Sequence, residues 1–322
     1  MTRTEAQARS DAGALPYIAL FGAQFAVGAA ALMARAGLAS GFDEWSLSAW
    51  RLTVAGGILL AIAAAKRAAA AATPSPLSLN VIVRLLGAGV CLALHFAAWF
   101  ASLRLMPVAV STLLVNTSPL WAGLGGVLFL RQRLPTRFWL GLTIAAPGAW
   151  LTTTTGHATA HQTSASLPGA AAALVGAAAM AVYMLLMQDL PERIGTRRVI
   201  TWTYTCAAIS LWPVVLAVSG RHALPAEPSG WLAVLGLALV SQLIGHSALN
   251  WCLRFFAAGV VTAATLLEPV IAAALARALL GEAVTPLQAA GGAMLLAGVA
   301  LAVAPRPQAV RGAECQTPSA EC

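Results

Sequence analysis

Charge is scarce in this chain. Of its 322 residues only 9% are Asp, Glu, Lys or Arg, against 59% hydrophobic, and the mean hydropathy is +0.80. Soluble domains carry about 25% charged residues, so the composition excludes an ordinary soluble fold and indicates a membrane protein. Catalytic signatures are lacking as well: there is no HExxH, no GxSxG and no GxxxxGK[ST] phosphate loop. ATP held by this chain therefore cannot power it. Cysteine is sparse and unpatterned, with Cys91, Cys206 and Cys252 in apolar segments, Cys315 and Cys322 near the end, and no C-x-x-C or zinc spacing. His157 and His161 stand four apart, but the Thr, Ser and Gly around them favour a solvated external loop over a metal site. No metal or cofactor is expected.

What the chain has in abundance is apolar runs. A helix needs about 20 apolar residues to cross hydrocarbon about 30 Å thick, and ten such spans fit: 16–37, 45–65, 82–103, 108–130, 136–155, 168–188, 199–219, 230–252, 258–280 and 286–304. The expected fold is an all-α integral membrane protein. Residues 1–15 read as a cytoplasmic tail before an uncleaved first span, 156–167 as an external linker, and 306–322 as a second cytoplasmic tail.

The second half repeats the first. Val110–Ser111–Thr112 returns as Val260–Val261–Thr262, Ser118–Pro119 as Glu268–Pro269, Leu130 as Leu280, Gly141 as Gly291 and Gly148 as Gly298, always 150 positions on. Arg104 and Arg254 keep the same separation. The halves are therefore 16–155 and 168–305, with five spans each. An odd number of spans forces the second repeat into the membrane in the opposite sense, and such inverted repeats are the ground plan of many secondary transporters.

A net charge of +8 is a feature of nucleic-acid binders, but its placement here points to topology. With the N-terminus inside, 14 of the 19 Lys and Arg residues lie on the cytoplasmic side and only Arg35, Arg104, Arg221 and Arg277 on the other, with Arg51 inside a span. That is the positive-inside bias, and it puts both termini in the cytoplasm; a bacterial inner membrane is the expected location. Arg51 and Arg277, near outer span ends, are expected to snorkel.

Polar side chains within spans are costly and each needs a reason. Glu268, near the middle of span nine, is a candidate proton-coupling carboxylate; the alternative is a structural glutamate locking two helices. Pro119 and Pro269 break spans four and nine at matching places, and paired breaks mark a central site. His95 and His246 lie 151 apart, one residue off the repeat, and suit proton relay, substrate contact or interhelical bonding. Gln242, His246 and Asn250 share a face of span eight by their four-residue spacing. Asn116 and Ser118, just before Pro119, can offer hydrogen bonds. Trp99, Trp121 and Trp251 are either cavity aromatics or packing residues, whereas Trp45, Trp50, Trp139, Trp150, Trp202 and Trp231 fall near span ends as belt residues. The small residues at 141, 145, 148, 291 and 298 allow close helix approach, within the chain or in a homodimer.

Three stretches carry a family resemblance: LHFAAWFASLRLMPVAVSTLLVNTSPLW from Leu94, SQLIGHSALNWCLRFFAAGVVTAATLLEPVIAAALARALLGE from Ser241, and Trp50–Arg51–Leu52. In order and spacing the chain resembles the EamA-type carriers of the drug/metabolite transporter superfamily. The resemblance implies a carrier of ten helices in two inverted five-helix repeats; the expectation is that it exports or exchanges a small metabolite or amphipathic compound by alternating access, with a facilitator as the other open form. The resemblance does not name the substrate. One motif departs from the family pattern: the second repeat keeps Leu280–Gly281–Glu282, but the first has Leu130–Arg131–Gln132–Arg133. A non-transporting intramembrane enzyme or lipid-handling protein is the rival reading. The expected partners are a small molecule, protons and lipid, with no nucleic acid.

Overall fold

The computed structural model describes residues 14–70, 76–131, 134–154, 166–187, 190–252, 255, 261 and 264–303. The tails, His157, His161, Arg254, Gln132 and Arg133 lie outside these residues. The described residues are helical with no strand, as expected where lipid cannot satisfy backbone groups and only helices or closed barrels remain. The helices are α1 (Leu15–Gly28), α2 (Ala30–Ala39), α3 (Glu44–Ala70), α4 (Leu79–Leu105), α5 (Val108–Val115), α6 (Ser118–Leu130), α7 (Thr136–Thr154), α8 (Leu167–Met187), α9 (Leu190–Ile194), α10 (Thr196–Val218), α11 (Ser229–Leu235), α12 (Ser247–Cys252), α13 (Leu267–Leu280) and α14 (Pro286–Val303). A π-helical stretch, Gly236–His246, joins α11 to α12.

Among the described residues, seven helical stretches are long and apolar enough to cross a membrane: Leu15–Ala39, Glu44–Lys66, Leu79–Leu105, Val108–Leu128, Leu167–Met187, Thr196–Val218 and Ser229–Cys252; Pro286–Ala302 is apolar but shorter. Adding 150 to the bounds of α3, α4, α6 and α7 lands within a few residues of α10, the stretch from α11 to α12, α13 and α14. The 150-residue repeat is thus a repeat of structure.

The halves meet through equivalent residues. A Cβ on Gly141 would lie 2.4 Å from the Gly298 carbonyl oxygen, and one on Gly148 2.7 Å from that of Gly291. Because 141 faces 298 and 148 faces 291, α7 and α14 cross antiparallel, each presenting the same glycines to the other. The small-residue faces are therefore used inside the chain, where they let two backbones touch.

At one end of the bundle the carboxylate of Glu282 accepts the Val108 N–H at 2.8 Å and sits 3.4 Å from Arg35, whose guanidinium also donates to the Met106 carbonyl at 2.7 Å. Glu44 pairs with Arg104 at 2.9 Å. The Ala226 N–H donates to the Ser40 carbonyl at 2.7 Å, and Trp50 Nε1 to that of Ala223 at 2.9 Å. Several of these bonds cross between repeats and tie this end together, as the Arg84 guanidinium does at the other end by donating to the Leu186 carbonyl at 2.6 and 2.9 Å.

Candidate functional site

Span four is two helices. α5 stops at Val115, Asn116 and Thr117 form a turn, and α6 starts at Ser118 with Pro119 in its first turn. In the second repeat a turn at Leu266 precedes α13, with Pro269 in its first turn and Glu268 beside it. The spans are thus broken at matching places, and neither proline kinks a continuous helix. Each sits where a helix begins and where a missing N–H leaves no bond unmade.

These breaks face a cavity of about 300 Å³ between the repeats. His95 and Trp99 of α4, Asn116, Ser118 and Pro119 come from the first repeat; His246, Asn250, Thr265 and Glu268 from the second. Asn116 lies within reach of the Glu268 carboxyl. Among the described lining residues Glu268 is the single carboxylate, and no Lys or Arg stands in the wall. His95 is held by its Nδ1, 2.9 Å from the Gly176 carbonyl oxygen. A carbonyl can only accept, so Nδ1 carries the hydrogen and Nε2 is left for a ligand or a proton. The His95 ring lies nearly parallel to Trp99, with centroids 6.1 Å apart.

The opposite wall was not expected. Met180, Tyr183, Met184 and Met187 of α8 line the cavity, joined by Val27 of α1 and Leu249. Their spacing of three, one and three residues is one face of a helix, in a segment otherwise rich in alanine. That stripe was the available signal. Methionine is polarizable and adapts to irregular ligands, so the cavity pairs a polar wall with a soft apolar one.

Four expectations are corrected. Trp121 is 38% exposed, donates weakly to Thr117 Oγ1 at 3.3 Å and stays outside the cavity. Gln242 does not join His246 and Asn250 on the wall; it is buried behind it, accepting from Arg51 Nε at 2.9 Å. Arg51 does not snorkel but is fully buried, with Nη2 also donating to Ser241 Oγ at 3.1 Å. The π-helical stretch accounts for part of this: its wider turns change which residues face inward, so His246 faces the cavity with His95 although the two are 151 apart. Trp50 also departs from the belt, packing edge-on between Trp212 at 5.1 Å and Trp231 at 4.9 Å. Of the other tryptophans, Trp99 is a cavity residue and Trp251 a packing one, 4.6 Å from Phe255.

A pocket held between two sequence-related helical halves, with one carboxylate among its described lining residues, fits the plan of a membrane transporter. Residues 14–154 and 167–304 each match the family model of the EamA-like transporter family, to which the chain belongs. Over 197 residues it is 28% identical to the probable terminal-alkyne amino-acid exporter of Streptantibioticus cattleyicolor, covering 61% of this chain and 64% of that protein. Two uncharacterized transporters of Bacillus subtilis, YdfC and YwfM, are 25% and 23% identical, over 61% and 69% of this chain and 62% and 73% of theirs. The chain thus spans less than two thirds of the length of the first two relatives. A solved crystal structure shares the fold, with a TM-score of 0.60 at 20% identity over 90% of this chain and 96% of its own.

Proposed function

We propose that the chain is a secondary carrier that exports a small metabolite or amphipathic compound by alternating access, exchanging it for protons through Glu268. It has ten spans in two inverted repeats and lies in a bacterial inner membrane with both termini in the cytoplasm. The antiparallel crossing of the equivalent helices α7 and α14 and the placement of the basic residues support this topology. The observation that carries the mechanism is the single carboxylate at a helix break in the cavity wall. His95 and His246 relay the proton or hold the substrate, and Asn116, Ser118 and Asn250 supply hydrogen bonds.

In this reading the end that carries Glu282 is the outer one, and the cavity, lined as far as Met187, Asn250 and Val261, lies towards the cytoplasmic side. A volume of about 300 Å³ is at the small end for ligand pockets, so the substrate is small.

Proteoliposomes loaded with a pH-sensitive dye test the reading, with the native chain and Glu268→Gln compared against pools of amino acids, nucleosides, sugars and organic cations. The name of the Streptantibioticus relative puts amino acids with unsaturated side chains in the first pool. Substrate-dependent proton flux that vanishes in Glu268→Gln is the expected result. Equal flux in both removes Glu268 from coupling.

A further inference from the structure

Arg51 is the only Lys or Arg fully buried among the described residues, yet it takes no part in the cavity wall. A charge at this depth is costly, and among the described residues Arg51 forms no ion pair. Its contacts converge instead on one place. Nε and Nη2 hold Gln242 and Ser241, two consecutive residues of the π-helical stretch, and so tie α3 of the first repeat to the second. The guanidinium carbon sits over Phe96, 3.8 Å from the ring centroid. Phe96 in turn meets both cavity histidines edge-on, His95 at 4.8 Å and His246 at 6.0 Å between centroids. π-helical hydrogen bonding is rare and clusters at functional sites, and this stretch ends on the cavity residue His246 itself.

We propose that Arg51 is a positioning residue: by clamping Ser241 and Gln242 and backing Phe96, it fixes where His246 and His95 stand in the cavity. The planar fork makes this specific to arginine, because an ammonium on a flexible stem cannot hold both acceptors and stack on the ring at once. The proposal rests on the reading of the cavity as the transport site, but its test does not use transport.

The full chain in lipid nanodiscs is treated with diethyl pyrocarbonate, which acylates imidazole nitrogens, and modification of His246 is followed by mass spectrometry. Exposed His222, bonded to the Gly41 carbonyl at the Glu282 end, serves as the internal reference. Arg51→Gln and Arg51→Lys are expected to change the His246 to His222 rate ratio by about threefold or more. The double variant Arg51→Gln/Gln242→Arg, which rebuilds the clamp from the other side, returns the ratio towards native. A packing role alone would lower the unfolding temperature and leave the ratio unchanged, and that result overturns the proposal. If the Arg51 variants do not fold, Gln242→Leu removes one acceptor and keeps the guanidinium; an unchanged ratio in that folded variant overturns it equally. Proton flux in Glu268→Gln decides the transport reading separately.

Discussion

Residues 131 and 281 hold the same place in the two repeats, just past the ends of α6 and α13, and both adopt left-handed backbone, with φ of 51° and 69°. The second repeat fills the position with glycine, the first with arginine, the one non-glycine residue at positive φ among the described residues. The next position differs too: Glu282 reaches across to cap α5 and pair with Arg35, whereas its counterpart is Gln132. At the helix breaks, Ser118–Pro119 faces the cavity from one half and Glu268–Pro269 stands opposite from the other. Along the α7 and α14 crossing the halves keep the same glycines, as they keep Pro119 and Pro269 at the breaks. Where backbone meets backbone the duplication is preserved, because a methyl group there has no room. Where side chains line a cavity or tie an end together, the copies have parted, and a single carboxylate avoids placing two like charges in one small pocket.

The strongest way to break this comparison is to move the carboxylate. In Ser118→Glu/Glu268→Ser the acid passes to the equivalent site, away from its place beside Thr265 and opposite Asn116. Proton flux in proteoliposomes should fall about tenfold or more, a loss of about 1.4 kcal/mol or more in transition-state stabilisation; retained flux would make the halves interchangeable. Next, Gly298→Val puts a branched side chain where the Ala145 amide nitrogen and the Gly141 carbonyl oxygen each lie 2.6 Å from a Cβ. Overpacking of this kind costs about 3 kcal/mol or more, and thermal unfolding in detergent should show a lower Tm or no folded protein. By contrast, Gly22, with nothing near its Cβ, should accept alanine without loss.

Glu282 gives a smaller and more graded effect. Glu282→Ala leaves the Val108 N–H without its acceptor and should cost about 1–2 kcal/mol, while Glu282→Gln keeps an oxygen for that N–H and loses only the partly exposed attraction to Arg35, about 0.5 kcal/mol. Equal losses in chemical unfolding would show that the charge, and not the cap, matters. Smallest is Arg131→Gly, which should stabilise by about 0.5–1 kcal/mol by removing left-handed strain from a side-chain-bearing residue. No gain would mean that the Arg131 side chain has contacts that offset its strain.

Much of the fold was legible because duplication and hydropathy are both linear in the chain: one offset of 150 places helix after helix. The site was legible only in its polar half. His95, Asn116, Ser118, Pro119, His246, Asn250 and Glu268 come together as polar or helix-breaking residues within spans should. The methionine wall of α8 escaped notice because apolar residues in an apolar span carry no contrast, and only their spacing set them apart. Gln242 and Arg51 were misplaced because straight α-helical spacing cannot foresee a π-helical stretch, and because a charge near a span end looks as though it can reach water. Trp121 was misplaced by depth along the span, which says nothing about the side it faces.

The glycine crossing has a consequence for descent. A contact in which 141 meets 298 and 148 meets 291 is, in repeat numbering, a surface meeting itself, the geometry of a symmetric dimer. A half-length ancestor with this face needed no new contact to pair with its own copy in the opposite orientation, and fusing two genes would only have made that partnership permanent. From then on each copy was free to lose what the other kept, but a change at one glycine of this crossing must be answered in the other half of the chain.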